Sequence, residues 1–351
     1  MDLRSATMRG VQSLAEAGIA HVPAQYIQPP QTRIGFSLVK HNNIDIPTID
    51  LDPSQSKQLV REAIGSACRD WGAFHVINHG VPIPLLDEMR SAGLSFFERC
   101  STQDKLCYAC DPNLAATEGY GSKMLQSTDT AVLDWRDYFD HHTLPLARRN
   151  PSRWPHFPPS YRHVVSEYSD HMKLLADKLL AIISESLGLP SYVIGDAVGE
   201  FYQNITVSYY PPCPQPDITL GLQSHSDMGA ITLLIQDHVE GLQVFKDGQW
   251  ITVLPSPHAI LVILADQTEI ITNGKYKSAQ HRAITNASRA RLSVATFHDP
   301  AKTAKISPAR ELVNESSPAR YREVIYGDYV TSWYTKGPEG KQNMDALLLK
   351  C

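Results

Sequence analysis

The sequence predicts a mixed α and β fold with a double-stranded β-helix core, a jelly roll of the cupin-like kind. Two observations carry this expectation. After Phe201 the chain changes to short apolar strands punctuated by turns, a pattern that lasts to about Pro300. Inside it, His225 and Asp227 stand two apart, and a further candidate ligand, His281, lies 54 positions beyond Asp227. Hairpin-linked strands that carry a single metal fit a double-sheet jelly roll.

Taken in order, residues 8–18 read as a short helix ended by Gly18, and Gln28-Pro29-Pro30-Gln31 as an extended linker. The first strand is expected over Ile44 to Leu51. Helical spacing of Leu59, Ala63, Ile64 and Ala67 marks a helix over Ser54 to Arg69. A strand over Ala73 to Asn78, closed by Gly80 and Pro82, leads into a helix from about Ile83 to Arg99. His75 and His79 lie four apart, but they straddle a strand and a turn, which spreads them along the chain and favours a structural role. Asp140-His141-His142, on a probable strand, competes for the metal role but has no carboxylate-binding pair beside it.

From Tyr161 to Leu187, Val165, Tyr168, Met172, Leu175, Leu179 and Ile182 advance by three or four. This is a long amphipathic helix that packs on a sheet, stopped by Gly188 and Pro190. Asp247-Gly248 reads as a hairpin turn, and so does Asn273-Gly274 between Glu269-Ile270-Ile271 and Tyr276. A C-terminal helix is expected over Tyr321 to Thr335, with a polar tail from Lys336. The organisation reads as one domain over 1–351: a helix-rich region 1–200, the jelly-roll core 201–300, and a C-terminal helix and tail over 301–351.

Bulk properties narrow the function. A chain of 351 residues, 42% hydrophobic and 20% charged, can bury a large core. Its net charge of −5 gives no reason to expect nucleic acid. No apolar run approaches the roughly eighteen residues that span a bilayer, and Met1-Asp2-Leu3-Arg4 lacks the apolar core of a signal peptide. Six cysteines are scattered, with Cys107-Tyr108-Ala109-Cys110 the only close pair, and are expected as thiols. The expectation is a cytoplasmic monomer that takes a small-molecule substrate, without nucleic-acid or membrane partners.

The chemistry gathers between Gly221 and Phe297. On a strand, residues two apart share a face, so His225 and Asp227 can reach one point, with His281 brought in by the fold. Two histidines and a carboxylate with open positions opposite suit non-haem Fe(II) oxygenases. Zinc accepts the same ligands, which leaves a zinc hydrolase as an alternative. Arg291 and Ser293 again stand two apart in the alternating run Arg291 to Phe297. Guanidinium and hydroxyl together suit a carboxylate, which a hydrolase leaves unexplained.

The order and spacing of these residues resemble the plant soluble 2-oxoglutarate- and Fe(II)-dependent dioxygenases, such as anthocyanidin synthase and flavonol synthase. The resemblance covers nearly the whole chain. It includes Ile46-Pro47-Thr48-Ile49-Asp50-Leu51, Trp71-Gly72-Ala73-Phe74, Val76 to Pro82, Asp134 to Tyr138, Tyr209-Tyr210-Pro211-Pro212-Cys213-Pro214 and Thr272 to Ser278.

It implies a jelly roll flanked by helices, iron held by His225, Asp227 and His281, and no catalytic residue beyond these ligands. It implies 2-oxoglutarate and O2 as cosubstrates, with ascorbate supporting activity. Arg291, Ser293 and Tyr210 would grip the far carboxylate of 2-oxoglutarate. Tyr138 and Phe297 would line the substrate pocket. The implied activity is hydroxylation, desaturation or O-dealkylation of a plant specialised metabolite such as a flavonoid, a coumarin or phenylpropanoid, or an alkaloid. A non-catalytic small-molecule-binding member of the fold is the alternative. Two departures stand out. Ser208 occupies a position where the family commonly has a cosubstrate-binding asparagine, which predicts weaker cosubstrate binding. Asp140 occupies a pocket position that is aromatic in anthocyanidin synthase-like members, which weakens stacking there and admits a polar or cationic group.

Overall fold

Alternating apolar residues need two partners, a face to bury and an edge to pair, and both are found across long stretches of the chain. In the computed structural model, which describes residues 10–34, 45–111, 118–121, 132–336 and 341–349, the first elements are α1 (Gly10–Glu16), β1 (Thr48–Asp50), α2 (Lys57–Asp70), β2 (Ala73–Ile77), α3 (Ile83–Arg99) and α4 (Thr102–Leu106). Next come β3 (Gly119–Gly121), β4 (Asp137–His142), α5 (Tyr161–Ser186) and α6 (Val193–Val198). The strand-rich part holds β5 (Tyr202–Tyr210), β6 (Leu222–His225), β7 (Ile231–Gln236), β8 (Leu242–Lys246), β9 (Gln249–Thr252), β10 (Ile260–Leu264), α7 (Asp266–Ile271), β11 (His281–Ala283) and β12 (Arg291–Asp299). The chain closes with β13 (Lys305–Ile306), β14 (Val324–Ile325), α8 (Tyr326–Lys336) and α9 (Gln342–Asp345).

Eight strands form a large sheet in the order β1-β2-β10-β7-β12-β5-β4-β3, and four form a smaller one, β6-β11-β8-β9. Nearly all neighbours are antiparallel; only β1 runs parallel to β2. Strands β1 to β4 come from the helix-rich first part, so half of the large sheet precedes residue 200. Leu242 and Val244 of β8 share an apolar cluster with Leu234, Leu261 and Ile263 of the large sheet, so the two sheets face each other.

The other face of the large sheet is dry. Ile205 and Val207 of β5 and Leu292 and Val294 of β12 pack in one core with Leu86, Met89, Phe96 and Phe97 of α3 and with Tyr168, Met172, Leu175 and Leu179 of α5. Gly93 lets α3 approach: a Cβ there would sit 2.9 Å from Val207 and 3.1 Å from Leu292. The opposite side of α5 carries the exposed pair Lys173–Asp177, as an amphipathic helix requires. α2 starts on Ser56, whose hydroxyl accepts from the Leu59 N–H. It stops at Gly72, with φ of +69° and a Cβ position only 2.3 Å from the Lys277 carbonyl, a place only glycine fits.

Three expectations are corrected. Asn273-Gly274 does not join two strands; it ends α7, with φ of 53° and 72°, and the Gly274 N–H donates to the Glu269 carbonyl. Left-handed residues close helices as readily as they close hairpins, and α7 is fixed by its buried carboxylates, which the alternating reading overlooked. The C-terminal helix starts at Tyr326 rather than Tyr321, because Val324 and Ile325 pair with β13 first. The first strand is shorter than expected, Thr48–Asp50, and the reading of residue 44 lies outside the described residues.

The competing histidines are structural in their contacts. His141 is buried, with Nδ1 2.8 Å from the Ile205 carbonyl and Nε2 3.1 Å from the Tyr161 hydroxyl, and burial lowers its pKa to about 3. His79 accepts from the Val81 N–H. The described cysteines, Cys107 and Cys110 among them, are thiols.

Candidate active site

The small sheet brings the two distant histidines together by strand register. β6 and β11 pair antiparallel with His225 directly across from His281, and their ring centroids are 4.3 Å apart. Each imidazole is fixed by its own strand: His225 Nδ1 lies 2.8 Å from the Gln223 carbonyl and His281 Nδ1 lies 3.0 Å from the Ala279 carbonyl. A carbonyl only accepts, so both Nδ1 atoms carry the proton and both Nε2 lone pairs turn inward.

Asp227 is not on the strand. β6 ends at His225, and the loop that follows is held by two backbone bonds, from the Asp266 N–H to the Asp227 carbonyl and from the Gln267 N–H to the Gly229 carbonyl. This fold-imposed bend, rather than strand alternation, carries the carboxylate to the histidines. Its Oδ1 is 3.5 Å from His225 Nε2 and 3.6 Å from His281 Nε2, and its Oδ2 is buried without a hydrogen-bond partner. The three ligand atoms lie within 4.8 Å of one another, the only such group among the described residues. Burial opposes ionisation of Asp227, but His281 and then His225 outweigh it and hold the carboxyl at about 2. Burial, with His225 adding to it, also lowers the pKa of His281, favouring the neutral imidazole that a metal needs. An ionised carboxylate with an orphaned oxygen, facing two lone pairs in a buried pocket, fits a divalent cation.

The large sheet supplies a carboxylate pocket. Arg291 and Ser293 project from one face of β12, opposite Tyr210 and Ser208 of β5 and, for Ser293, Gln236 of β7. Arg291 is buried; its Nη2 donates to Gln236 Oε1 at 2.7 Å, while Nε and Nη1 have no partner. Its Cζ stands 4.9 Å from the centre of the Tyr210 ring. Buried N–H groups without a protein partner on a fixed cation favour an arriving anion such as a carboxylate. Glycines make room for this: a Cβ at Gly241 would meet Arg291 Cδ at 2.7 Å, and one at Gly221 would meet Tyr210 at 2.6 Å.

Sequence reasoning missed Arg136. It is buried on the same face of the sheet, donates from Nη1 to the Ser208 hydroxyl at 3.0 Å, and lies 5.2 Å from the centre of the Tyr138 ring. Burial raises the pKa of the Tyr210 phenol, but Arg136 and Arg291, helped by Ser293 and Ser208, outweigh it and bring it below its ordinary value. The available signal was spacing: Arg136, just before β4, continues the period of two set by Tyr138 and Asp140.

The remaining predicted residues line the rest of this face. Tyr138 is buried, while Asp140 and Phe297 are only partly buried. Asp140 accepts a short hydrogen bond from the Thr206 hydroxyl. Nine of the ten predicted site residues thus stand on strands of the two sheets, and Asp227 joins the histidines from the loop after β6.

Comparisons with known proteins give the chain's family. The 2OG-Fe(II) oxygenase superfamily model matches residues 201–300, and the model for non-haem dioxygenase in morphine synthesis N-terminal matches residues 46–159. Jasmonate-induced oxygenase 4 of Arabidopsis thaliana is 39% identical over 97% of this chain and 96% of its own length. Flavanone 3-dioxygenase 2 of Oryza sativa subsp. japonica is 36% identical, covering 93% of this chain and 94% of itself. A crystal structure of JOX2 in complex with 2OG, Fe and JA matches with a TM-score of 0.89 at 38% identity, covering 97% of this chain and 98% of that one.

Proposed function

The chain belongs to the 2OG-Fe(II) oxygenase superfamily, and on that footing we propose that His225, Asp227 and His281 hold its Fe(II) while Arg291, Ser293 and Tyr210 hold the far carboxylate of 2-oxoglutarate. It is a 2-oxoglutarate-dependent dioxygenase related to plant enzymes of specialised metabolism. The observation that carries the residue assignment is the inward convergence of two fixed imidazoles on the Asp227 carboxylate, whose Oδ1 lies 3.5 and 3.6 Å from their Nε2 atoms and whose Oδ2 is buried without a partner.

With iron, 2-oxoglutarate and O2 bound, the reaction splits 2-oxoglutarate into succinate and carbon dioxide and directs the oxidising equivalents at a substrate C–H bond. The protein's own residues do the rest. The Gln223 and Ala279 carbonyls keep both imidazoles in one tautomer and one orientation. Arg291 offers its buried, unpartnered N–H groups and its charge to the cosubstrate, and Ser293 and Tyr210 add hydroxyls beside it. Ser208, backed by Arg136, stands where relatives commonly use an amide, so cosubstrate binding is weaker than with that amide. Tyr138, Asp140 and Phe297 form the substrate wall. The carbon nearest the metal decides among hydroxylation, desaturation and O-dealkylation.

We read the chain as one domain, because β1 to β4 complete the sheet that carries the site. We also read it as a cytoplasmic monomer; thiol cysteines suit a reducing compartment. No helix among the described residues is long and apolar enough to cross a membrane.

The test is purified protein with Fe(II), ascorbate and labelled 2-oxoglutarate, read as succinate formed in the presence of candidate plant metabolites. His225→Ala and Asp227→Ala should abolish succinate and lower iron bound under anaerobic loading. Undiminished iron binding in both variants would overturn the ligand assignment.

A further inference from the structure

The inner face of the large sheet changes sign along its length. Cross-strand register lays it out in rows. Arg291 faces Tyr210; Ser293 faces Ser208, which faces Tyr138; Ala295 faces Thr206, which faces Asp140; Phe297 faces Asn204; and Asp299 faces Tyr202. Both buried arginines stand at one end, with the hydroxyls of the cosubstrate pocket. Past the second row the strands bring Asp140, His142 and Asp299, and Arg148 lies over the Tyr202 ring where its charge offsets Asp299, so Asp140 is the carboxyl there that no cation beyond Arg136 is seen to offset. Exposure changes at the same point: Arg291 and Ser293 are buried, while Ala295, Phe297, Asp299 and Asp140 are each partly open. Those side chains are among the partly exposed ones of this face.

Asp140 is short of partners there. Its one hydrogen bond comes from Thr206, although an ionised carboxylate accepts about four. Among the described residues no lysine, arginine or histidine forms an ion pair with it. Arg136, the cation whose field reaches it, already meets Ser208 and the Tyr138 ring. Asp299, on the same face, has a buried Oδ1 without a hydrogen-bond donor.

Resting on the oxygenase reading above, we propose that this cavity is built for a substrate bearing a protonated amine, with Asp140, oriented by Thr206, receiving the N–H groups and Phe297 packing on the body of the molecule. A cation satisfies the open lone pairs and offsets the charge at once. A phenol hydroxyl supplies one hydrogen bond and leaves the charge uncompensated, and an acid substrate meets like charge at Asp140. The dianionic cosubstrate does not compete, because its matching cations lie at the other end of the face. From β4 to β12 is two strand spacings, roughly 10 Å, about the span of a two-ring aromatic skeleton. The nitrogen therefore anchors the substrate on β4, and its distance from the attacked carbon fixes which carbon meets the metal.

The experiment uses the iron- and 2-oxoglutarate-loaded protein without O2 and three probes that share a phenol ring and a two-carbon arm: tyramine, tyrosol and 4-hydroxyphenylacetate. Binding is read by calorimetry. Tyramine should bind roughly tenfold or more tightly than tyrosol, and the acid most weakly, as a charge-assisted bond against a neutral one implies. Asp140→Asn should erase the amine-over-alcohol ratio while tyrosol affinity stays within about threefold, and Asp140→Glu should restore much of it. Tyramine binding no better than tyrosol, or not binding, overturns the inference; so does an Asp140→Asn variant that keeps the ratio or loses both probes together. Succinate formation once O2 is admitted tests the oxygenase reading separately. Its absence sinks that reading, whereas succinate from a charge-blind cavity sinks only this one.

Discussion

Replacing Arg291 by lysine keeps the positive charge and removes the fork. In the structure the guanidinium uses Nη2 on Gln236 at 2.7 Å and leaves Nε and Nη1 unpartnered in a buried pocket. A carboxylate arriving there meets charge-assisted donors on a rigid plane that also holds Gln236, and a single ammonium that must reach Gln236 loses at least one of these bonds. The lost bond is worth about 1.5–3 kcal/mol, so KM for 2-oxoglutarate should rise roughly tenfold to a hundredfold. The contact is made before chemistry and persists through it, so kcat at saturating 2-oxoglutarate should fall far less. Succinate formation against 2-oxoglutarate concentration measures both. A second reading needs no turnover: at equal 2-oxoglutarate, the rise in Tm on adding cosubstrate should shrink in the variant. An unchanged KM, or a collapse of kcat with KM intact, would refute the assignment of that fork to the cosubstrate.

Gly241→Ala places a Cβ 2.7 Å from Arg291 Cδ; the displaced guanidinium should raise KM for 2-oxoglutarate several-fold, checked by the same kinetics. Arg136→Gln takes from Ser208 its cationic donor and should raise the same KM by roughly the worth of one charge-assisted bond, about tenfold. Burial pushes the Asp140 carboxyl up to about 6, against the weaker effects of Thr206 and Arg136. A raised folded value means the unfolded chain ionises first, so wild-type stability falls relative to Asp140→Asn as pH rises from about 4 to about 6 and levels off above. The stability difference between the two proteins, read by chemical denaturation across that range, should follow the curve and approach at most about 3 kcal/mol. Phe96→Ala opens a cavity where Phe97, Phe139 and Tyr161 meet, and chemical denaturation should show a loss of about 3–5 kcal/mol.

Much of the site was legible because its motifs are local. Arg291 and Ser293 lie on one uninterrupted strand, so a period of two alone puts them on one face. The residue types His225, Asp227 and His281 announce a metal whatever the fold. α3 and α5 appear where their apolar spacing put them, since burying a stripe needs no knowledge of what covers it. Where local signals were ambiguous the reading failed: Asn273-Gly274 suits a hairpin and a helix end equally, and only the buried contacts of Asp266 and Glu269 with Ser278, Tyr329 and Tyr321 select the helix.

By itself, then, the sequence determined the chemistry on offer: a metal-binding set, a carboxylate grip and an acidic residue where stacking was expected. Tertiary structure decided who meets whom. His281 stands across from His225 because β6 and β11 pair in that register, and a slip of one residue would turn the ring to the opposite side. Asp227 arrives through a loop tied to Asp266 and Gln267 rather than through strand alternation. Arg136 reaches Ser208 across 72 positions, and Asp140 finds Thr206 across 66. Such pairings follow from many alternating faces buried together, a collective balance of packing and hydrogen bonding that no short stretch of chain contains.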